Sequence, residues 1–480
     1  MIGDLSAYPS YKDSGVPWLG MVPEHWDVQP HRALFSEIKD QDHPDEPMLS
    51  VTISRGVIRQ ADLLAESSKK DSSNLDKSKY KLIQPGDIAY NKMRAWQGAI
   101  GASKFRGIIS PAYIVQRPRD GVLADYMHHL LRTPGFATEA ERWSYGITSD
   151  QWSLRAEHFK MIYSCLPPPD EQASIVRFLD HADRRIRRYI RAKQKLIKLL
   201  EEQKQAIIHR VVTRGLDPNV RLNPSGVEWL GDVPEHWETL LLGRCIKRIE
   251  QGWSPVAAEG ELVGDQWAVL TLSSIRRGLF NPTAVKPISH EAKVPEAFEV
   301  KNGDLLLTRS NTRDRVGDVC FVENVREKTI LCDLIYRLSV KSELIDSRFL
   351  MFQLLSPLGR EQIEQDARGS SGTMPKISQG HIKAWRVLVP PLEEQLKMVR
   401  ALEVNVSAIV TTISSAQREI DLLREYRTRL IADVVTGKLD VRAAAANLPE
   451  EPGAEDEVEA IEAGDMDEGD IGVGSEEDEA

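Results

Sequence analysis

The sequence predicts an α+β protein: two mixed α/β globular halves joined by two long helices, laid out as an internal pseudo-two-fold repeat. Three observations predict it. Residues 14 to 26 read SGVPWLGMVPEHW and residues 225 to 237 read SGVEWLGDVPEHW, with 11 of 13 positions identical at an offset of 211. Residues 167 to 172 (PPPDEQ) match residues 390 to 395 (PPLEEQ) at an offset of 223. That same offset aligns VVT at 211 to 213 with VVT at 434 to 436, and Leu216-Asp217 with Leu439-Asp440.

Between these anchors, Gly86-Asp87 aligns with Gly303-Asp304 at an offset of 217, so the second half carries small insertions in its globular part. Each half begins with a Trp-containing segment, continues as about 140 divergent residues and closes on a long helix. The boundaries expected from the anchors are 1–166, a first globular half; 167–220, a first long helix; 221–389, a second globular half; 390–445, a second long helix; and 446–480, an acidic tail.

The closing helices are expected because Asp170 to Thr213 and Leu392 to Thr436 contain neither Pro nor Gly. Asp170-Glu171 and Glu393-Glu394 suit the positive end of a helix dipole, and Gly215 and Gly437 suit its C-terminal cap. In the second helix Val399, Leu402, Val406, Ile409, Ile413, Ala416, Ile420, Leu423, Leu430 and Val434 recur at steps of three and four, broken at Arg427. The equivalent stripe of the first helix is Val176, Leu179, Ile186, Ile190, Ile197, Leu200, Ile207 and Val211, broken at Asp183, Lys193 and Lys204. Each helix spans roughly 60 Å at about 1.5 Å per residue. Two equal stripes in one chain favour an antiparallel coiled coil; the alternative is packing of each helix on its own half.

In the globular halves, Lys81 to Ile83, Asp87 to Tyr90, Tyr113 to Gln116, Asp304 to Thr308 and Ile335 to Val340 read as strands. Leu123 to Arg132 and Ser347 to Leu355 read as helices.

The formal net charge of -10 is set by the tail, which holds fifteen of the 72 acidic residues and no basic one. The rest, 57 acidic against 62 basic residues, is mildly basic and suits a nucleic-acid partner. The tail has no aromatic residue and is expected to stay disordered, as a solvating tail or, alternatively, in a DNA-mimicking or partner-binding role. The chain has no run of about 18 apolar residues and no secretory signal, and its four cysteines (Cys165, Cys245, Cys320, Cys332) lack zinc spacing; a cytoplasmic, membrane-free protein with reduced thiols is expected.

No catalytic or metal site is expected. Asn223-Pro224 and Asn281-Pro282 are followed by Ser225 and Thr283 rather than by a second proline and an aromatic residue, and neither GxGxxG nor a P-loop occurs. Glu24-His25 could be read as an acid-base pair, but its place within the repeated Pro-Glu-His-Trp favours a turn closed by His and Trp. Trp18, Trp26, Trp229 and Trp237 read as packing residues, although identical segments also suit one partner surface met twice.

Basic, amide and aromatic side chains interleave on two aligned loops: Lys92, Arg94, Trp96 and Gln97 in the first half, and Arg309, Asn311, Arg313 and Arg315 in the second. Arg and Lys clamp phosphates or read guanine, and Asn and Gln read adenine. Ser149-Asp150-Gln151-Trp152 and Ser370 to Lys376 precede the two PP motifs at similar distances, adding Gln151 and Lys376 as DNA-contact candidates. Different residues at one repeated position suit two readers of two half-sites.

SGVxWLGxVPEHW, the PPxxEQ helix start and the VVTxxLD helix end, present twice and in order over about residues 8 to 445, resemble the specificity subunit of Type I restriction-modification enzymes. The resemblance implies a target recognition domain in each globular half, a bipartite asymmetric DNA target, and an antiparallel coiled coil as the ruler between half-sites. It also implies double-stranded DNA, two modification (methyltransferase) subunits and two restriction (translocase-nuclease) subunits as partners. S-adenosylmethionine, ATP and Mg are expected on those partners and no cofactor on this subunit, which is expected to be non-catalytic. The tail lies outside the resemblance.

Overall fold

The computed structural model describes residues 5–65, 76–146, 152–227, 230–255, 262–289, 292–368 and 374–449. It has the mixed helix and strand content of an α+β chain. The chain divides into two compact units, Met1–Lys193 with Arg418–Ala480, and Gln194–Gln417.

The first unit is built on a four-stranded antiparallel sheet of β1 (Phe35–Ile38), β2 (Ile88–Asn91), β3 (Ile100–Ala102) and β4 (Tyr113–Pro118), in the order β1-β4-β2-β3. The Gly-Asp pair sets the start of β2. Pro85 and Gly86 (φ 89) form a tight turn in which Asp87 N donates to Gln84 O at 3.0 Å. The Asp87 carboxylate then accepts from Gln84 N at 2.9 Å and from Arg117 of β4 at 2.7 and 2.9 Å. These bonds tie the turn to the next strand but one and hold Arg117 above the usual arginine range. Asp87 therefore ends the turn, and the strand expected from it begins one residue later.

Two helices, α1 (Ala124–Leu130) and α2 (Pro134–Arg142), follow the sheet. Thr133 caps α2 by accepting from Phe136 N, with Pro134 in the first turn. Tyr126, Leu130 and Phe136 join Trp26, Tyr90 and Phe159 in one buried core. An outer strand, Asp27–Pro30, pairs antiparallel with Tyr163–Leu166, and Tyr11–Asp13 pairs with Met21–Pro23.

The long helix α3 (Pro169–Arg214) starts in this unit and has 46 residues. In the second unit the sheet strands are β5 (Ile246–Gln251), β6 (Leu305–Thr308), β7 (Val319–Phe321) and β8 (Ile335–Val340), in the order β5-β8-β6-β7. The connection order is that of the first sheet. Gly303 (φ 97) repeats the turn before β6, Asp304 accepts from Lys301 N at 2.9 Å, and Arg337 of β8 donates to it at 3.2 Å. Helices α4 (Ser347–Leu355) and α5 (Pro357–Arg368) come next; Asp346 caps α4 by accepting from Arg348 N and Phe349 N. Glu238–Leu241 pairs with Arg386–Val389 before the second long helix, α6 (Leu392–Val435), of 44 residues.

The α6 stripe is buried at Val399, Leu402, Ile409, Ala416, Ile420, Leu430 and Val434, whereas α3 buries Leu179 and Ile186 of its expected stripe and, near its C-terminal end, Ile208 and Val212 rather than Ile207 and Val211. In the first unit Leu179, Ala182, Leu430 and Val434 are buried in one core. Two of the four stripe breaks meet there: Arg427 of α6 pairs with Asp183 of α3. Lys193 pairs with Glu419 at 2.6 Å, so the helix segments of this unit run antiparallel. In the second unit Ile208 and Val212 of α3 share a core with Met398, Val399 and Leu402 of α6. The four cysteines are buried and free. Among the described residues no helix is long and apolar enough to cross a membrane.

Candidate nucleic-acid interface

The repeated motifs converge within each unit. In the first, the Glu171 carboxylate at the start of α3 accepts from Trp26 Nε1 at 3.0 Å and from Tyr8 OH at 2.6 Å, and lies 2.8 Å from His25 Nε2. Gln172 fixes the same helix start by accepting from Leu123 N at 2.8 Å and donating to Gly121 O and Pro167 O. Gly437, at φ 78 after α6, lies so close to Trp26 and Pro23 that a Cβ there would overlap Pro23.

The second unit repeats this closure with its own residues. Glu394 at the start of α6 accepts from Trp237 Nε1 at 3.2 Å and lies 2.8 Å from His236 Nε2. Gln395 accepts from Asp346 N at 2.8 Å and donates to Leu344 O and Pro390 O. Gly215 (φ 74) follows α3 and packs on Trp237. His25 and His236 are thus carboxylate partners in a structural joint. Trp229 lies outside the described residues.

On this frame each unit presents three adjoining segments. The loop after β2 carries Lys92, Arg94, Trp96 and Gln97. Lys92 O accepts from Leu154 N at 2.8 Å, and Trp96 meets the Trp152 ring at a centroid distance of 5.6 Å. The segment before the PP motif is therefore drawn against the loop; Ser149, Asp150 and Gln151 lie outside the described residues. The third segment is the hairpin tip at Ile53-Ser54-Arg55, which joins strands Leu49–Thr52 and Gly56–Arg59. Arg132, just after α1, joins tip and loop: its guanidinium donates to Ile53 O, Ser54 O, Gly98 O and Ile100 O at 2.7, 2.6, 3.2 and 2.8 Å. Burial, then the charge of Arg427, pulls Arg132 down to about 10.

The second unit assembles the same three segments. Arg309 O, after β6, accepts from Ile377 N at 2.9 Å, and Ser310 bridges to Lys376. Arg309, Asn311 and Lys376 are thereby brought together; Ser370, Ser371, Gly372 and Thr373 lie outside the described residues. The hairpin tip here is Arg276-Arg277, whose Arg277 N donates to Asp318 at 3.2 Å. Arg360 of α5 donates to Val316 O at 2.9 Å and to Asp314 O at 3.5 Å, as a second clamp on the loop. Burial raises the Asp318 carboxyl, against the pull of Arg277, Arg360 and Arg315.

The candidate side chains divide by exposure. Gln97, Arg313, Arg315 and Lys376 are exposed, and Lys92 and Arg94 partly so. Trp96 donates its indole N–H to Met93 O at 2.9 Å and packs on the core, closing its own turn. Asn311 is 8% exposed, and its Oδ1 accepts from Thr312 N. Arg309 lies over the Tyr336 ring at 6.0 Å. The sequence reading missed both hairpin tips and both clamps. Arg276-Arg277-Gly278 does carry a turn signal with charge, whereas Arg132 and Arg360 bond backbone carbonyls, which leave no trace in a sequence.

The four-stranded sheets of the two units have one strand order, and their aligned loops carry different side chains. The family described as Type I restriction modification DNA specificity domain matches residues 288–419. The chain is 27% identical over 173 residues to the Type I restriction enzyme EcoEI specificity subunit of Escherichia coli, a match covering 36% of this chain and 29% of that one. It is 23% identical over 461 residues to the StySPI specificity subunit of Salmonella potsdam, covering 89% and 95% of the two chains. A chain of a solved type I restriction-modification system shares the fold at a TM-score of 0.60 and 15% identity, covering 87% of this chain and 99% of that one. The chain is thus similar to Type I specificity subunits, and its residues 288–419 match the DNA specificity domain of that family.

Proposed function

We propose that each unit reads one part of a bipartite, asymmetric DNA target, and that the chain directs adenine N6 methylation and restriction without catalysing either. The observation that carries this reading is the rim of loop and pre-PP segment, joined by the same backbone bond in both units (Leu154 N to Lys92 O, Ile377 N to Arg309 O) but presenting Lys92, Arg94 and Gln97 in one and Arg309, Arg313, Arg315 and Lys376 in the other. A common frame with different hydrogen-bonding side chains is what two half-sites require. Within the rims, Trp96 and Asn311 act by shaping the loops, and the exposed residues contact bases and phosphates. Gln151 is proposed as a contact from its sequence position.

The two globular parts, 1–166 and 221–389, serve as target recognition domains. Segments 167–220 and 390–445 form an antiparallel coiled coil whose length sets the spacer between half-sites; the paired stripe breaks Asp183 and Arg427 favour this pairing. Two modification subunits supply methyl transfer from S-adenosylmethionine. Two restriction subunits supply ATP- and Mg-dependent translocation and cleavage. The residues offered here bind DNA and hold no cofactor.

Single-molecule sequencing of adenine methylation tests the proposal, in cells carrying this gene and its modification partner and in a deletion of this gene alone. A split asymmetric motif that vanishes on deletion is expected. Methylation unchanged by the deletion would sink it.

A further inference from the structure

We infer that the acidic tail, residues 450–480, docks along an arginine face of α3 within the first unit. The tail is outside the described residues and is a charged feature that DNA reading does not use. Residues 184 to 191 read RRIRRYIR, five arginines in eight positions, and no carboxylate occurs from Arg184 to Leu200. At about 100° per residue, Arg177, Arg184, Arg187, Arg188 and Arg191 fall on one face of the helix, away from Leu179, Ile186 and Ile190. Arg177, Arg184, Arg187 and Arg188 are exposed. Two carboxylates border the face: Asp180, 3.7 Å from His129, and Asp183, paired with Arg187 and Arg427. Among the described residues, the five arginines outnumber the two carboxylates paired along the face.

The chain itself points to the occupant. Arg177, on this face, donates from Nη2 to Leu448 O at 2.7 Å and to Pro449 O at 3.1 Å. The tail therefore departs from one end of the face it is proposed to cover. Arg177 to Arg191 is about 21 Å of helix. The 31 tail residues reach roughly 30 Å as an unstretched chain, enough to lie along it. The tail brings fifteen carboxylates and no cation. Tethering at Pro449 gives those carboxylates an effective concentration on the order of millimolar at the face, so modest pairwise attraction suffices. A docked tail screens this face from other polyanions, leaving the loop rims as the exposed cationic surface. The contact stands apart from the DNA-reading proposal and can hold whether or not that reading does.

The test uses the full chain with a photoactivatable benzophenone side chain at position 464 in place of Gly464, irradiated in low salt and mapped by peptide mass spectrometry. Intramolecular crosslinks into residues 177–191 are expected. They should fall at least five-fold in Arg184→Gln/Arg187→Gln/Arg188→Gln, persist in the corresponding Arg→Lys variant, and disappear in about 1 M salt, where screening acts over about 3 Å. If circular dichroism shows the Gln variant to be misfolded, the Lys variant and the salt series decide. Crosslinks elsewhere in the chain, only between chains, or insensitive to salt would overturn the inference.

Discussion

The indole of Trp26 donates to the carboxylate of Glu171 at 3.0 Å, joining two sequence motifs that lie 145 residues apart. Glu171 is 6% exposed and also accepts from the 4%-exposed Tyr8, so its removal strands two buried donors. Glu171→Ala should cost about 3 kcal/mol, and Glu394→Ala about 1 kcal/mol, because the Glu394 side chain is 29% exposed and water replaces it. Urea unfolding of the two variants checks the order; equal losses would remove burial as the explanation.

That pair also shows what the sequence could and could not display. Repetition marked Trp26, Glu171, Gln172 and Gly437 as important, and helix-end chemistry explained Glu171 as a dipole partner. That all four form one joint depends on tertiary closure, which repetition alone does not encode. Local elements were legible where periodicity or turn chemistry decides them: Ile335–Val340 and Ser347–Leu355 have the expected bounds. The outer pairing of Asp27–Pro30 with Tyr163–Leu166 was not legible, because its partners are remote and short. Of the rims, the loops were found from charge and aromatic content. Arg132 was not, since its partners are four carbonyls that any residues supply.

Asp183 and Arg427 each interrupt an apolar stripe, and they pair with each other. Burial alone would raise the Asp183 carboxyl, but the charges of Arg427 and Arg187 outweigh it and hold the group below the usual carboxylate range. Asp183→Leu or Arg427→Leu alone should destabilise by about 2–3 kcal/mol by leaving a partly buried charge, and the double variant should recover most of the loss. A double-mutant cycle by chemical denaturation measures this. Additive losses would mean that the pair is not coupled.

His31 is fully buried among Phe35, Phe136 and Phe159, with Nε2 2.8 Å from Ser164 Oγ. Burial lowers its pKa to about 3. The unfolded chain, with His near 6.5, binds this proton more readily, so the stabilisation is complete above about pH 6.5 and declines as pH falls. The expected loss from this group at pH 5 is about 2 kcal/mol. His31→Gln should flatten the stability profile between pH 7 and 5. An unchanged slope would assign the acid sensitivity to other groups, such as the buried His128, which burial also lowers.

Arg132 holds the hairpin tip and the loop after β2 in one arrangement. Arg132→Ala should loosen both and weaken recognition of one half-site, while Arg132→Lys, with one compact donor group, should recover only part of it. Duplexes altered in either half-site, compared by fluorescence anisotropy with the assembled methyltransferase, provide the readout. Loss of discrimination at both half-sites would show the clamp to be a general stability element instead.

Arg313 is exposed on its loop, and Arg94 is partly exposed on the aligned one. If either is bidentate to guanine, its replacement by Ala costs about 1–3 kcal/mol at one base position and leaves the other half-site unaffected. If it contacts phosphate, affinity falls on all sequences and the salt dependence becomes shallower by about one unit. The two rims belong to different units of the chain, so base-reading effects of Arg94→Ala and Arg313→Ala should add. Competition binding of a duplex library, sequenced before and after selection, separates these outcomes. A library whose preferences are unchanged by both substitutions would move the reading of bases away from these loops and onto the hairpin tips at Ser54-Arg55 and Arg276-Arg277.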